Sequence, residues 1–291
     1  MFIVALKFIL LFSAVSSFQM PDYTFAVGIF YRRNYSFQCA GGIVSPNAVL
    51  TSCSCIGMFD KRKDNFYDFI PLDVNKFFIA TIMSDNKTYE IQKQLVHGHC
   101  KPSKYDEDLY VYDLGAWKIK GTFDKSVPMM EVQNSRSISL QELSESNPMC
   151  QILVNENPIV WSLRSYRLDI SDPVNCGKRH CYFSSDKTKV VCTDLLAQDV
   201  KEGTICSTFD YNATRKLDSS RGSPVICEGS VWGIVSSNRK TSVLWSRIDW
   251  ENNMDFLYMV NETIKTMSLS SSHCSDLILV LIFSIGFVMF M

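Results

Sequence analysis

Short apolar runs rich in β-branched and aromatic residues recur along most of this chain, and they narrow its fold more than any other feature. YTFAVGIFY, GGIVSPNAVLTS, NKFFIATIM, QILV, PIVWSLRSYRLDI, KTKVVCTD and VWGIVSS have the length and composition of strands, and polar turns separate them. Strands at this spacing imply an all-β sandwich or barrel. One stretch reads as a helix: from Asp249 to Lys265, Trp250, Met254, Leu257 and Val260 fall on one apolar stripe. No repeat of fixed period interrupts the pattern. The polar segment from Ser135 to Pro148 suits a junction between two halves.

The 291 residues carry a formal net charge of -1, so bulk electrostatics point to neither nucleic acid nor a basic partner. Residues 1–17 read as a secretory signal peptide, with Val15 and Ser17, or Ala14 and Ser16, at the cleavage site. An exported chain with eleven cysteines is expected to be cross-linked, and the ten from Cys39 to Cys227 fit five bridges. Sequons begin at Asn34, Asn86, Asn212 and Asn261, which predicts surface glycosylation. Residues 267–291 comprise a serine-rich spacer and an uncharged apolar tail, Leu277 to Met291. That is the pattern of a glycolipid-anchor signal, with the lipid on a serine near Ser270. A short membrane span and a buried terminal helix are the other readings of the tail. HGH at 97–99, beside Cys100, reads as a surface loop rather than a metal site. No metal and no cofactor are expected.

Two segments carry a specific resemblance. CAGGIVSPNAVLTSCSC, from Cys39 to Cys55, and CSTFDYNATRKLDSSRGSPVIC, from Cys206 to Cys227 and followed by VWGIVSS, resemble the two motif segments of trypsin-like serine proteases. The resemblance places Ser54 at the family's catalytic histidine and Arg221 at its nucleophile. DLGAWKI places the triad acid at Asp113, with Asp108 as the rival. Serine does not titrate near neutral pH, so it cannot take a proton as imidazole does. A guanidinium stays protonated and cannot attack a carbonyl.

Other family positions are altered in the same direction. Ser219 stands where a glycine N–H would help form the oxyanion hole, and Ser220 where an aspartate would bind the activated terminus. Arg215 stands at the position that sets primary specificity. Ser236 is retained in the substrate-binding strand, where Ser237 and Asn238 follow it. Leu217 replaces one cysteine of a pocket bridge. By the same resemblance, Cys39 pairs with Cys55, Cys150 with Cys227 and Cys192 with Cys206, while Cys176 and Cys181 compete for Cys206. Cys53 and Cys100 are extra to the family and are expected to pair near Ser54.

The resemblance implies an all-β fold of two antiparallel Greek-key barrels and a C-terminal α-helix. Barrel one covers about 20–134, barrel two about 146–248 and the helix 249–265, within a domain of residues 18–266. The function it implies is that of a non-catalytic homologue, secreted or held at the outer face of the plasma membrane, which binds or regulates a protein partner. The alternative is a residual serine endopeptidase using Ser219, Ser220 or Ser223.

Overall fold

The computed structural model describes residues 23–62, 67–81, 87–102, 110–132, 142, 145–155, 163–170, 182–183, 190–191, 203–209, 220–239, 242–249 and 253–260. The first half contains β1 (Ala26–Tyr31), β2 (Phe37–Ser45), β3 (Ala48–Thr51), β4 (Gly57–Lys61), β5 (Tyr67–Pro71), β6 (Phe77–Thr81), β7 (Thr88–Val96), β8 (Lys101–Pro102), β9 (Tyr110–Val111) and β10 (Gly115–Ile119). The second contains β11 (Cys150–Asn155), β12 (Leu163–Asp169), β13 (Tyr182–Phe183), β14 (Val190–Val191), β15 (Thr204–Phe209), β16 (Pro224–Cys227), β17 (Ser230–Arg239) and β18 (Ser242–Arg247).

Each half closes into a six-stranded barrel. The strand order is β1-β2-β3-β10-β7-β6 in the first and β11-β12-β15-β18-β17-β16 in the second. Every pairing within the barrels is antiparallel. Closure leaves neither sheet with an open end. The all-β, two-barrel expectation is met.

The strands look like continuous apolar runs because both of their faces are covered. Side chains alternate across a strand. On β1, Val27 and Ile29 fill the first barrel, while Ala26 points toward the second. On β3 and β10, Val49 and Trp117 turn inward, whereas Leu50 and Ala116 join the inter-barrel layer. The second barrel repeats the scheme: Ile152 and Val225 line its interior, and Leu153 and Ile226 face the first barrel. A shared apolar layer therefore fixes how the barrels meet, which sets β16 against β2 and β17 against β3.

Residues 253–260 form helix α1. Phe256, Leu257 and Val260 bury its inner face in the inter-barrel layer. Asp249, the expected start, is not helical. Its carboxylate instead pairs with the buried Arg247 guanidinium, and Asn253 Nδ2 donates to the Arg247 carbonyl. Trp250 and residues 261–265 lie outside the described residues. So do residues 1–17 and 267–291, which the sequence pattern assigns to a signal peptide and an anchor signal. No helix among the described residues is long and apolar enough to cross a membrane.

Candidate functional site

The candidate site grows from a single turn of 3-10 helix, Cys53–Cys55, directly after β3. Its two cysteines are both bridged: Cys53 to Cys100 and Cys55 to Cys39. Ser54 is thus held between two covalent anchors, one to the segment after β7 and one to β2. Its backbone N–H donates to Asp113 Oδ1 at 3.0 Å and its hydroxyl to Oδ2 at 3.3 Å. Ser52 Oγ lies 2.9 Å from Ser54 Oγ.

Asp113 sits just before β10 with no solvent exposure. Burial disfavours its charged form and pushes its pKa up to about 6. The Ser54 N–H, the Arg221 charge and the Ser236 and Ser54 hydroxyls oppose that rise. The second barrel supplies part of this support. Asp113 N–H donates to Ser246 Oγ at 3.2 Å, and Ser246 Oγ lies 3.2 Å from Ser236 Oγ. Ser246, on β18, carries no sequence signal for this role, because its partner is 133 residues away.

Arg221 enters from the second barrel on a tight turn ahead of β16. Its carbonyl accepts from Ala40 N–H at 2.9 Å. The next residue, Gly222, has φ +79° and donates its N–H to the Val235 carbonyl at 2.8 Å. A Cβ at Gly222 would collide with Thr51 Oγ1 and the Ala40 carbonyl. Only glycine allows the turn to press this closely on β2 and β3.

Ser54, Asp113 and Arg221 therefore converge between the barrels. A cavity of about 280 Å³ opens there. Gln38, Cys39, Ser54, Cys55 and Leu72 line it from the first barrel, and Arg221 and Ser237 from the second. Gln38 and Leu72 were not singled out in the sequence, since nothing local marks them as neighbours of Arg221. Ser236 lies behind this wall, in contact with Asp113. Ser220 and Ser223 are wholly buried, and Ser223 Oγ accepts from Leu153 N–H. Ser219, Arg215 and Asp108 lie outside the described residues.

The imidazoles among the described residues are elsewhere. His97 is buried after β7, stacked on Tyr112 with ring centroids 5.4 Å apart, and its Nδ1 accepts from His99 N–H. Neither ring lines the cavity.

A family model described as Trypsin matches residues 15–244. The chain belongs to the trypsin family. Two solved structures share the trypsin-like fold with it. Kallikrein-related peptidase 10 in its complex with Zn2+ aligns at 14% identity and TM-score 0.53, covering 84% of this chain and 96% of the other. Kallikrein-related peptidase 10 in a second structure aligns at 17% identity and TM-score 0.52, covering 83% and 97%. In this trypsin-family chain a third disulfide joins Cys150 on β11 to Cys227 on β16. Cys206 is also disulfide-bonded, to a cysteine outside the described residues, where Cys192, Cys176 and Cys181 lie. Asn34 is exposed, and its Oδ1 accepts from Ser36 Oγ at 2.8 Å. The asparagines of the other sequons, Asn86, Asn212 and Asn261, lie outside the described residues.

Cys53, Cys100 and Asp113 place two sulfurs and a carboxylate within 4.8 Å of one another. A thiolate is the form that binds metal. With both sulfurs joined in a disulfide, this donor set does not fit a metal ion.

Proposed function

We propose that this trypsin-family protein is a non-catalytic homologue that acts by binding a protein partner. One observation carries the reading: among the described residues, the cavity between the barrels presents a guanidinium and the hydroxyls of Ser54 and Ser237 beside the buried Asp113, and no imidazole. Peptide-bond cleavage by the family's chemistry needs a hydroxyl nucleophile and a base that accepts its proton. Arg221 can serve as neither. Ser54 donates to Asp113 directly, so the pair lacks the intervening imidazole that takes the hydroxyl proton and hands it to the leaving group in the family's chemistry.

The competing reading, residual endopeptidase activity, needs another nucleophile. The burial of Ser220 and Ser223 weighs against them, since neither hydroxyl reaches the cavity. Treatment with an active-site fluorophosphonate probe separates the readings. We expect no labelled serine. Labelling that is lost in Ser54→Ala, Ser219→Ala or Ser220→Ala would overturn the proposal.

Display at the cell surface is part of the same reading and rests on the sequence of residues 267–291. Phosphatidylinositol-specific phospholipase should release the protein from expressing cells. Retention after treatment would instead favour a peptide anchor.

A further inference from the structure

Arg221 has more hydrogen-bonding capacity than the fold uses. A guanidinium offers five N–H donors in a planar fork. The interaction of this side chain with the described residues is the field of its charge at Asp113; no hydrogen bond from the fork to a described residue accompanies it. The backbone beneath is rigid, because the Arg221 carbonyl and the Gly222 N–H are both bonded. The side chain is half-buried and lines the cavity.

The remaining cavity wall favours an anion. Ser54, Ser237 and Gln38 contribute neutral polar groups, and no carboxylate lines the space among the described residues. The nearest acid, Asp113, is wholly buried, and both of its oxygens accept from Ser54. It offsets part of the Arg221 charge without occupying the fork. A neighbouring feature points to a polypeptide as the source. β17 pairs with β16 from Ser230 to Ile234 and bonds through Val235 to Gly222 and Ser223, yet continues to Arg239 with β18 on its other side. Among the described residues, the edge beyond Val235 is therefore open to an extended chain beside the cavity.

We infer that the cavity is a carboxylate-recognition site, in which Arg221 clamps a carboxylate of a bound polypeptide. A planar carboxylate matches the guanidinium fork through two parallel N–H···O bonds. The Ser237 hydroxyl completes the shell, since the Ser54 hydroxyl already donates to Asp113. The carboxylate comes either from a C-terminus or from an Asp or Glu side chain. This inference rests on the proposed non-catalytic role, since the clamp occupies the place where cleavage would occur.

The test is a titration of the purified protein, labelled with 15N-arginine, followed by NMR. The probes are Ac-AAAA-OH, Ac-AAEAA-NH2 and the neutral Ac-AAAA-NH2, with sodium acetate and sodium sulfate as free anions. We expect at least one acidic peptide to shift the Arg221 side-chain resonance and to bind at least tenfold more tightly than the neutral peptide and both free anions. Preference between the two acidic probes identifies the source. Arg221→Gln should weaken that binding at least tenfold. Ser237→Asp, which places a competing carboxylate in the cavity, should do the same and covers a folding failure of the first variant. Equal binding of the neutral peptide, free anions matching the acidic peptides, no binding at all, or unchanged binding in both variants would each overturn the inference. Mass spectrometry of the recovered peptides keeps the two proposals apart. Intact but unbound peptides count against the clamp alone, whereas cleaved peptides count against the non-catalytic role.

Discussion

At Asp113, the fold buries a carboxylate and supports it with Ser54, Ser236 and Ser246. Its pKa in the folded protein, about 6, lies above the usual 3.8. The native state therefore holds this proton where the unfolded chain has released it. That contribution to stability is present below pH 4, declines as pH rises through 6, and leaves a cost at neutral pH. Asp113→Asn should remove this pH dependence and match or exceed the natural protein in stability at pH 7.5, with a gain on the order of 2 kcal/mol. Urea unfolding between pH 4 and 8 measures it; an unchanged pH profile in the variant would refute the assignment. Gly222→Ala tests the turn that delivers Arg221. A Cβ there meets Thr51 and the Ala40 carbonyl at a positive φ, so a loss of about 2–4 kcal/mol is expected in the same assay.

Among the elements, the turn at Cys53–Cys55 shows what a sequence reveals and what it hides. Cysteine spacing within Cys39–Cys55 marks the turn because covalent chemistry is local and distinctive. Ser246, Gln38 and Leu72 stayed hidden, because they meet the site through the closure of two barrels and carry no motif. In helix α1 the apolar stripe was legible, but Phe256 was not on it, although it packs into the inter-barrel layer and against His97. Truncating it, Phe256→Ala, should cost about 3–5 kcal/mol by chemical denaturation. The Cys53–Cys100 bridge spans a separation of 47 residues. Its removal in Cys53→Ala with Cys100→Ala should lower stability by about 4 kcal/mol on the chain-entropy estimate. Near-native circular dichroism is expected to survive, because the Cys39–Cys55 bridge and β3 still hold the turn.

For the whole molecule, the two-barrel architecture was legible and the cavity was not. Runs of strand residues announce an all-β sandwich or barrel, the resemblance of the two motif segments narrows this to two barrels, and period-two alternation explains why both faces are apolar. The cavity exists only after the shared layer of Leu50, Leu153 and Ile226 has set the barrels against each other. What the sequence did expose is the chemistry brought to that junction: a fixed cation and small hydroxyls around a buried acid. The central claim is that this junction grips polypeptide without breaking it. Incubation of the purified protein with a proteome-derived peptide library, read by mass spectrometry for new termini, tests that most directly. The account predicts no cleavage above a buffer control. A reproducible cleavage motif that disappears in Ser54→Ala or in Asp113→Asn would contradict it.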